Sequence, residues 1–364
     1  MSGAAIVPGA VAQVQVAGAA VMQSIPLALV AVVFAVAIYD FTNGFHDAAD
    51  MVATAIASRA MQPAVAIGIV AVFTFLGPFT VGLAVADTVG TFVDVGSCSE
   101  QVGAAVVFAA LLAAVSYNVV TWVVGYPSSS SSSLAGGLVG AGLYAIGSAH
   151  INWGFTALQH GQLQGVVKVV AGLLVSPLFA FVVGYLTVKV FIRVFRRFTR
   201  QVGPIFVVSQ YFSVAFLGFS HGANDAQKGM AIIGMMLLAT GVTDVFTVPL
   251  WAVALCTCAI TTGTVFGGWR IIKTLGFSLY RLRALHAVAN QLGAALINSV
   301  ATSVGAPTST TQVVTATLLG NGAAEKPGHV KWVKAAGIVG GWWLNLPVSI
   351  ALGWMYCYLY LVMI

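Results

Sequence analysis

Ten stretches of this chain are apolar and long enough, or nearly long enough, to cross a lipid bilayer. They cover 24–39, 64–86, 102–125, 134–147, 165–192, 204–220, 246–268, 284–304, 313–322 and 335–363. Two shorter apolar runs, 45–58 and 226–241, bring each half of the chain to six segments. Charged residues make up only 7% of the sequence, where a soluble domain carries about a quarter. The expected fold is therefore an all-α polytopic membrane protein. Its forty glycines fit that class, because small residues let helices approach closely in lipid.

The formal net charge of +6 does not point to nucleic acid, since the basic residues cluster beside apolar spans and report membrane orientation. Cys98, Cys256, Cys258 and Cys357 form no CxxC and accompany no His pattern at zinc spacing, so they read as packing residues, and no metal centre or resident cofactor is expected. Residues 1–23 lack the basic region of a cleaved signal and run directly into a span.

Two motifs occur twice. Gly44-Phe45-His46-Asp47-Ala48-Ala49-Asp50 returns as Gly222-Ala223-Asn224-Asp225-Ala226-Gln227-Lys228, and Pro127-Ser128-Ser129-Ser130-Ser131-Ser132 returns as Pro307-Thr308-Ser309-Thr310-Thr311-Gln312. The offsets, 178 and 180 residues, are nearly equal, which makes duplication the economical explanation. Loop charge then orients the copies. The loop at 87–101 holds three acids and no Lys or Arg, whereas its counterpart at 269–283 holds Arg270, Lys273, Arg281 and Arg283 and no acid. By the positive-inside rule these loops face opposite sides, so the two repeats are expected to be inverted. The expected layout is an N-terminal segment (1–23), a first repeat (24–192), a basic cytoplasmic linker (193–203) containing Arg193, Arg196, Arg197 and Arg200, and a second repeat (204–364). The charges fit about ten crossings plus two half-spanning or re-entrant elements if the short segments after the repeated Asp motifs do not fully cross, but positive-inside counting constrains parity and not which segment is broken.

Charges at membrane depth mark function. Asp40, Asp47, Asp50 and Asp225, nearly half of the nine acids, sit in or beside the repeated motif. The Pro-Ser and Pro-Thr runs read as helix starts inside the membrane, with free N–H groups, hydroxyls and a favourable dipole for an oxyanion. Ser128, Ser129, Ser130, Ser131, Thr308, Ser309, Thr310 and Thr311 are the candidate anion ligands. Carboxylates beside an anion make sense only with a cation or proton between the charges, so Asp47 and Asp225 are candidates for both substrate and coupling ion. Phosphate keeps protons that it can donate to an aspartate, and sulfate has none. Asp50 and Lys228 occupy equivalent positions with opposite charge and are expected to approach as an ion pair. His46, equivalent to Asn224, is a candidate proton carrier.

These four motifs, with 267–276 and Tyr280-Arg281-Leu282-Arg283, resemble the inorganic phosphate transporter (PiT) family and its bacterial low-affinity branch. The resemblance covers about 30–362. It implies a secondary transporter of inverted repeats, a homodimer in a prokaryotic plasma membrane, carrying phosphate with protons or sodium and, in the bacterial branch, often as a metal-phosphate complex with Mg²⁺ or another divalent cation. It also implies coupling through Asp47 and Asp225 and anion binding at 128–131 and 308–311. The chain departs from the family at Ser132 and Gln312, where His is usual, and at Asp50, where Asn is usual. His46 and the fixed ammonium of Lys228, where sodium-coupled relatives have Asn, favour protons, with sodium as the alternative. The competing classes are an anion channel, for which intramembrane carboxylates are a poor lining, and a serine enzyme, for which a Gly-x-Ser-x-Gly elbow is missing. The chain therefore reads as a transporter and not an enzyme.

Overall fold

The computed structural model describes residues 26–197, 203–267, 272, 274, 276 and 279–363. Residues 1–23, Arg200, Arg270, Lys273 and most of the 267–276 motif lie outside them. The described chain forms α1 (Leu27–Ala57), α2 (Pro63–Leu76), α3 (Ala84–Gly90), α4 (Glu100–Val124), α5 (Ser130–Ala145), α6 (Phe155–Gln159), α7 (Gly165–Phe195), α8 (Gly203–Ala239), α9 (Leu250–Phe266), α10 (Ala284–Ser303), α11 (Thr310–Glu325) and α12 (Trp332–Met363). The only β pairing among the described residues is an isolated bridge between Val93 and Ile151.

In lipid a backbone must satisfy its own hydrogen bonds, and helices do so within each segment. Helices α1, α4, α7, α8 and α12 are each long and apolar enough to cross a membrane, and α2 with α3 forms a sixth candidate bent by 74°. The short runs after the repeated Asp motifs are not separate elements. Apolar residues 27–39 and 45–57 belong to one continuous helix, α1, and 204–220 and 226–239 belong to α8. At 1.5 Å per residue the 31 residues of α1 extend about 46 Å, so the Asp motif lies within a long helix and not at a broken one.

Glycine in these motifs serves packing rather than interruption. A Cβ at Gly44 would lie 2.0 Å from the Ile260 carbonyl oxygen of α9, and one at the equivalent Gly222 would lie 2.1 Å from the Thr74 carbonyl oxygen of α2. The short elements are α5 and α11, each of 16 residues, about 24 Å long, and buried through almost their whole length. Each packs on the last long helix of the opposite half, α5 on α12 and α11 on α7. Gly140 and Gly320 make those crossings possible, since a Cβ at either would stand 2.0 Å from a carbonyl oxygen, of Ile350 and Phe181 respectively. Elements at matching places in the two halves thus pack alike. The long helices α7 and α12 turn most of their surface outward, with 28% and 17% of their spanning windows buried, as lipid-facing helices must.

Candidate functional site

On α1 the residues Asp40, Asn43, Asp47 and Asp50 fall at i, i+3, i+7 and i+10, which places them along one helical face. The matching stretch of α8 presents His221, Asn224, Asp225 and Lys228. All eight are buried. Helices α1 and α8 pack together, and the ligand atoms of Asp47, His221 and Asp225 come within 4.8 Å of one another. Among the described residues, that trio and the set His46, Asp47, Asp50 have the composition and spacing to hold a cation.

The first turns of α5 and α11 enter the same cluster. In each, the second residue after proline is the N-cap: Ser129 Oγ accepts from the Ser132 N–H at 3.1 Å, and Ser309 Oγ from the Gln312 N–H at 3.3 Å. The prolines therefore precede the caps by two residues instead of occupying the first helical turn, because the intervening Ser128 and Thr308 are drawn into side-chain bonds of their own. Ser128 Oγ lies 2.7 Å from Thr121 Oγ1 and 3.3 Å from His46 Nε2. Thr308 donates its N–H to Asn224 Oδ1 at 3.2 Å and its hydroxyl to Asn298 Oδ1 at 3.2 Å. The two helix starts touch, with Ser131 Oγ donating to the Thr308 carbonyl at 2.6 Å. Two positive dipole ends thus converge at this buried cluster.

The carboxylates close the cluster. The Thr311 hydroxyl lies 3.1 Å from Asp47 Oδ1 and contacts Asp50 Oδ2. Thr310 Oγ1 lies 3.5 Å from Asp225 Oδ1 and 3.1 Å from His221 Nδ1. His46 Nδ1 lies 3.1 Å from Asp47 Oδ1, and Asn43 donates to Asp225 Oδ2 at 3.3 Å.

Lys228 does not pair with Asp50. Its ammonium binds Asp225 Oδ2 at 2.8 Å, three residues back on its own helix, and donates to Ser131 Oγ and to the Thr308 carbonyl at 3.0 Å. The i,i+3 neighbour is always within reach on a helix, whereas a partner across the repeat axis must be brought there by packing. The cation consequently stands at the junction of the two helix starts. Of the residues singled out in the sequence, Asp47, Asp50, Asp225, Lys228, His46, Asn224, Ser128, Ser131, Thr308, Thr310 and Thr311 come together through these bonds. Ser129 and Ser309 act as caps, and Ser130 begins α5 beside them.

Two contributors escaped the sequence reading. Asn298 donates to Thr310 Oγ1 at 3.3 Å and holds Thr308, while Thr302 Oγ1 accepts from Asn224 at 2.9 Å. The signal for Asn298 was present, because Asn118 precedes it by 180 residues, the offset of the Ser/Thr runs. Asn118 is 2% exposed, and both of its amide atoms lack partners. Asn345 supports the other helix start, donating to the Ser129 carbonyl at 2.7 Å and accepting from Ser133 at 2.9 Å.

The sequence profile of the phosphate transporter family matches residues 43–353, a span that contains every residue of this cluster except Asp40. The chain belongs to the phosphate transporter family. Relatives include a probable low-affinity inorganic phosphate transporter of Rhizobium meliloti (strain 1021), 39% identical over 324 residues that make up 88% of this chain and 93% of that one. A protein of Bacillus subtilis (strain 168) with the same description is 35% identical over 317 residues, 86% of this chain and 92% of that one. The Escherichia coli (strain K12) low-affinity inorganic phosphate transporter PitB is 33% identical over 240 residues, 58% of this chain and 46% of that one. Among solved structures, one described as the sodium-dependent phosphate transporter superposes with a TM-score of 0.78 at 22% identity, covering 93% of this chain and all of that one, and so shares the fold. This member of the phosphate transporter family is a multi-pass protein of the bacterial plasma membrane, and the family's members are transporters, not enzymes.

Proposed function

We propose that the protein imports inorganic phosphate as a secondary active transporter with protons as the coupling ion. One observation carries the proton assignment. The Thr311 oxygen contacts both Asp47 and Asp50, yet a hydroxyl has a single proton to donate. The second contact is a hydrogen bond only when one carboxyl brings a proton of its own. A proton shared across Asp47, Thr311 and Asp50 lowers the negative charge of the cluster at the moment an anion approaches the two helix starts.

Lys228 supports the same reading, since its ammonium already supplies a positive charge 2.8 Å from Asp225, where a sodium ion would otherwise be needed. In this scheme Ser128, Ser130, Ser131, Thr308, Thr310 and Thr311 hold phosphate, Asp47 and Asp225 accept its hydrogens, and Ser129 and Ser309 keep the helix starts in place. Sodium is the alternative ion. Mg²⁺ or another divalent cation entering with phosphate would be cargo, drawn to the carboxylate cluster. We further infer inverted repeats at 24–192 and 204–364 joined by a basic cytoplasmic linker, alternating access around the shared cluster, and a homodimer.

The test is uptake of radiolabelled phosphate and sulfate into proteoliposomes under imposed proton or sodium gradients, with and without Mg²⁺. Phosphate accumulation driven by the proton gradient and abolished by a protonophore is expected, with sulfate excluded. Accumulation that follows sodium and ignores the proton gradient sinks the coupling assignment. Equilibration without accumulation under any gradient would make the protein a channel.

A further inference from the structure

Four carboxyls are fully buried among the described residues, and the cluster above uses only three. The fourth, Asp40, is 0% exposed, and its oxygens have no hydrogen-bond partner of ordinary geometry beyond the weak approach of the Cys256 thiol. It lies seven residues before Asp47 on the same face of α1, about 10 Å along the helix, with Asn43 between them reaching Asp225. Its carboxyl presses on the backbone of α8. A Cβ at Gly229 would lie 2.2 Å from Asp40 Oδ2, so the residue after Lys228 is one that leaves room for this side chain. The titratable or charged groups facing it are Tyr39 beside it, the Cys256 thiol from α9, and Asp225 and Lys228 from α8. A thiol is a weak donor, and Lys228 is engaged by Asp225.

A buried carboxyl whose facing donor is a weak one costs several kcal/mol more as the anion than as the neutral acid in such a place. Asp40 is thus built to hold a proton. It is also unmatched by symmetry: the equivalent position in the second half is Gly218, so the group breaks the likeness of the repeats.

We propose that Asp40 is a proton-binding site of the transport cycle, holding the co-transported proton as a neutral carboxylic acid one layer from the phosphate cluster. This rests on the proton-coupled reading above. Proton uptake from the side of entry converts the carboxylate to the acid and lets the layer close on Gly229. When the layer opens to the other side, the proton leaves to water, and the ammonium of Lys228, adjacent to Gly229, faces the carboxylate that remains. No covalent step is involved, and one proton enters for each that leaves.

Asp40→Asn has the shape of the neutral acid and cannot release a proton. The expected result in proteoliposomes is a loss of at least tenfold in phosphate accumulation driven by a proton gradient, with phosphate-phosphate exchange across the membrane retained within about threefold. Wild-type accumulation that ignores the proton gradient refutes the coupling reading itself. A proton-driven wild type with an equally proton-driven Asp40→Asn refutes only the role of Asp40, as does a variant that loses exchange and net uptake together. A second measurement does not depend on transport or on the variant's yield. Infrared spectra of the purified wild type at neutral pH should contain the C=O stretch of a protonated carboxylic acid that accepts at most a weak thiol hydrogen bond, and Asp40→Asn should lack it. The absence of that band from the wild type overturns the proposal.

Discussion

Replacing Thr311 by valine removes one oxygen and leaves the shape of the side chain. In the wild type that oxygen is the common partner of Asp47 and Asp50, which are 1% and 0% exposed and have little else to bind: Asp47 has His46, and Asp50 Oδ1 has no partner. Hydrogen bonds to charged groups are worth about 1.5–3 kcal/mol, so the loss corresponds to a roughly 10- to 150-fold fall in kcat/KM if the bond acts in the transport-competent state. Valine also leaves two acids three residues apart on one helix face with no shared donor. We predict that Thr311→Ser, which restores the hydroxyl, stays within about threefold of the wild type. Asp50→Asn offers Asp47 an N–H donor and removes the second acid, so Thr311→Val/Asp50→Asn should be more active than Thr311→Val alone, with a coupling of about 1 kcal/mol or more. The assay is the initial rate of radiolabelled phosphate uptake against concentration, normalised to reconstituted protein. The sharing argument fails if Thr311→Val matches the wild type, or if the effects of the two substitutions simply add.

Three further outcomes are expected. Lys228→Met strands Asp225 in a buried site and should cost about 3–5 kcal/mol of stability, seen as a large drop in the detergent melting temperature; Asp225→Asn added to it should recover stability without recovering uptake. Gly320→Ala places a methyl 2.0 Å from the Phe181 carbonyl and should destabilise by about 1–3 kcal/mol or more, while Gly340→Ala, with open space around it, should melt like the wild type; equal melting of the two variants would contradict the close crossing of α7 and α11. Asn298→Ala frees the hydroxyls of Thr308 and Thr310 and should raise the phosphate KM several-fold more than it lowers kcat, whereas an unchanged KM would assign Asn298 to packing alone.

Much of this architecture is legible in the amino-acid sequence because lipid restricts composition so severely. A carboxylate in an apolar run is conspicuous, so Asp47 and Asp225 stood out, and the Ser/Thr runs did so by repeating at the same offset. What sequence conveyed poorly was the use of glycine and the choice among partners. Composition said only that glycines allow close approach, and the structure names the contacts: Gly44 and Gly222 use the absent side chain against α9 and α2. Lys228 and Asp50, equivalent and opposite in charge, suggested a pair across the repeats; the nearer acid on the same helix captured the lysine, and a threonine captured Asp50. Asn298 was overlooked because buried amides also serve as ordinary packing groups, and only its relation to Asn118 distinguished it.

The crossed packing of α5 on α12 and α11 on α7 has a consequence for how the chain is made. Helix α5 begins with a run of serines and is too short to span the bilayer unaided, and it is covered from both halves, by α4 of its own half and by α12 of the other. Until α12 emerges, some two hundred residues later, α5 is covered on its α4 side alone, and Asn345, which binds the Ser129 carbonyl, is still to come. Packing of α5 into the membrane interior is therefore complete only once α12 is in place, and the serine-rich helix start is held by side chains from both halves.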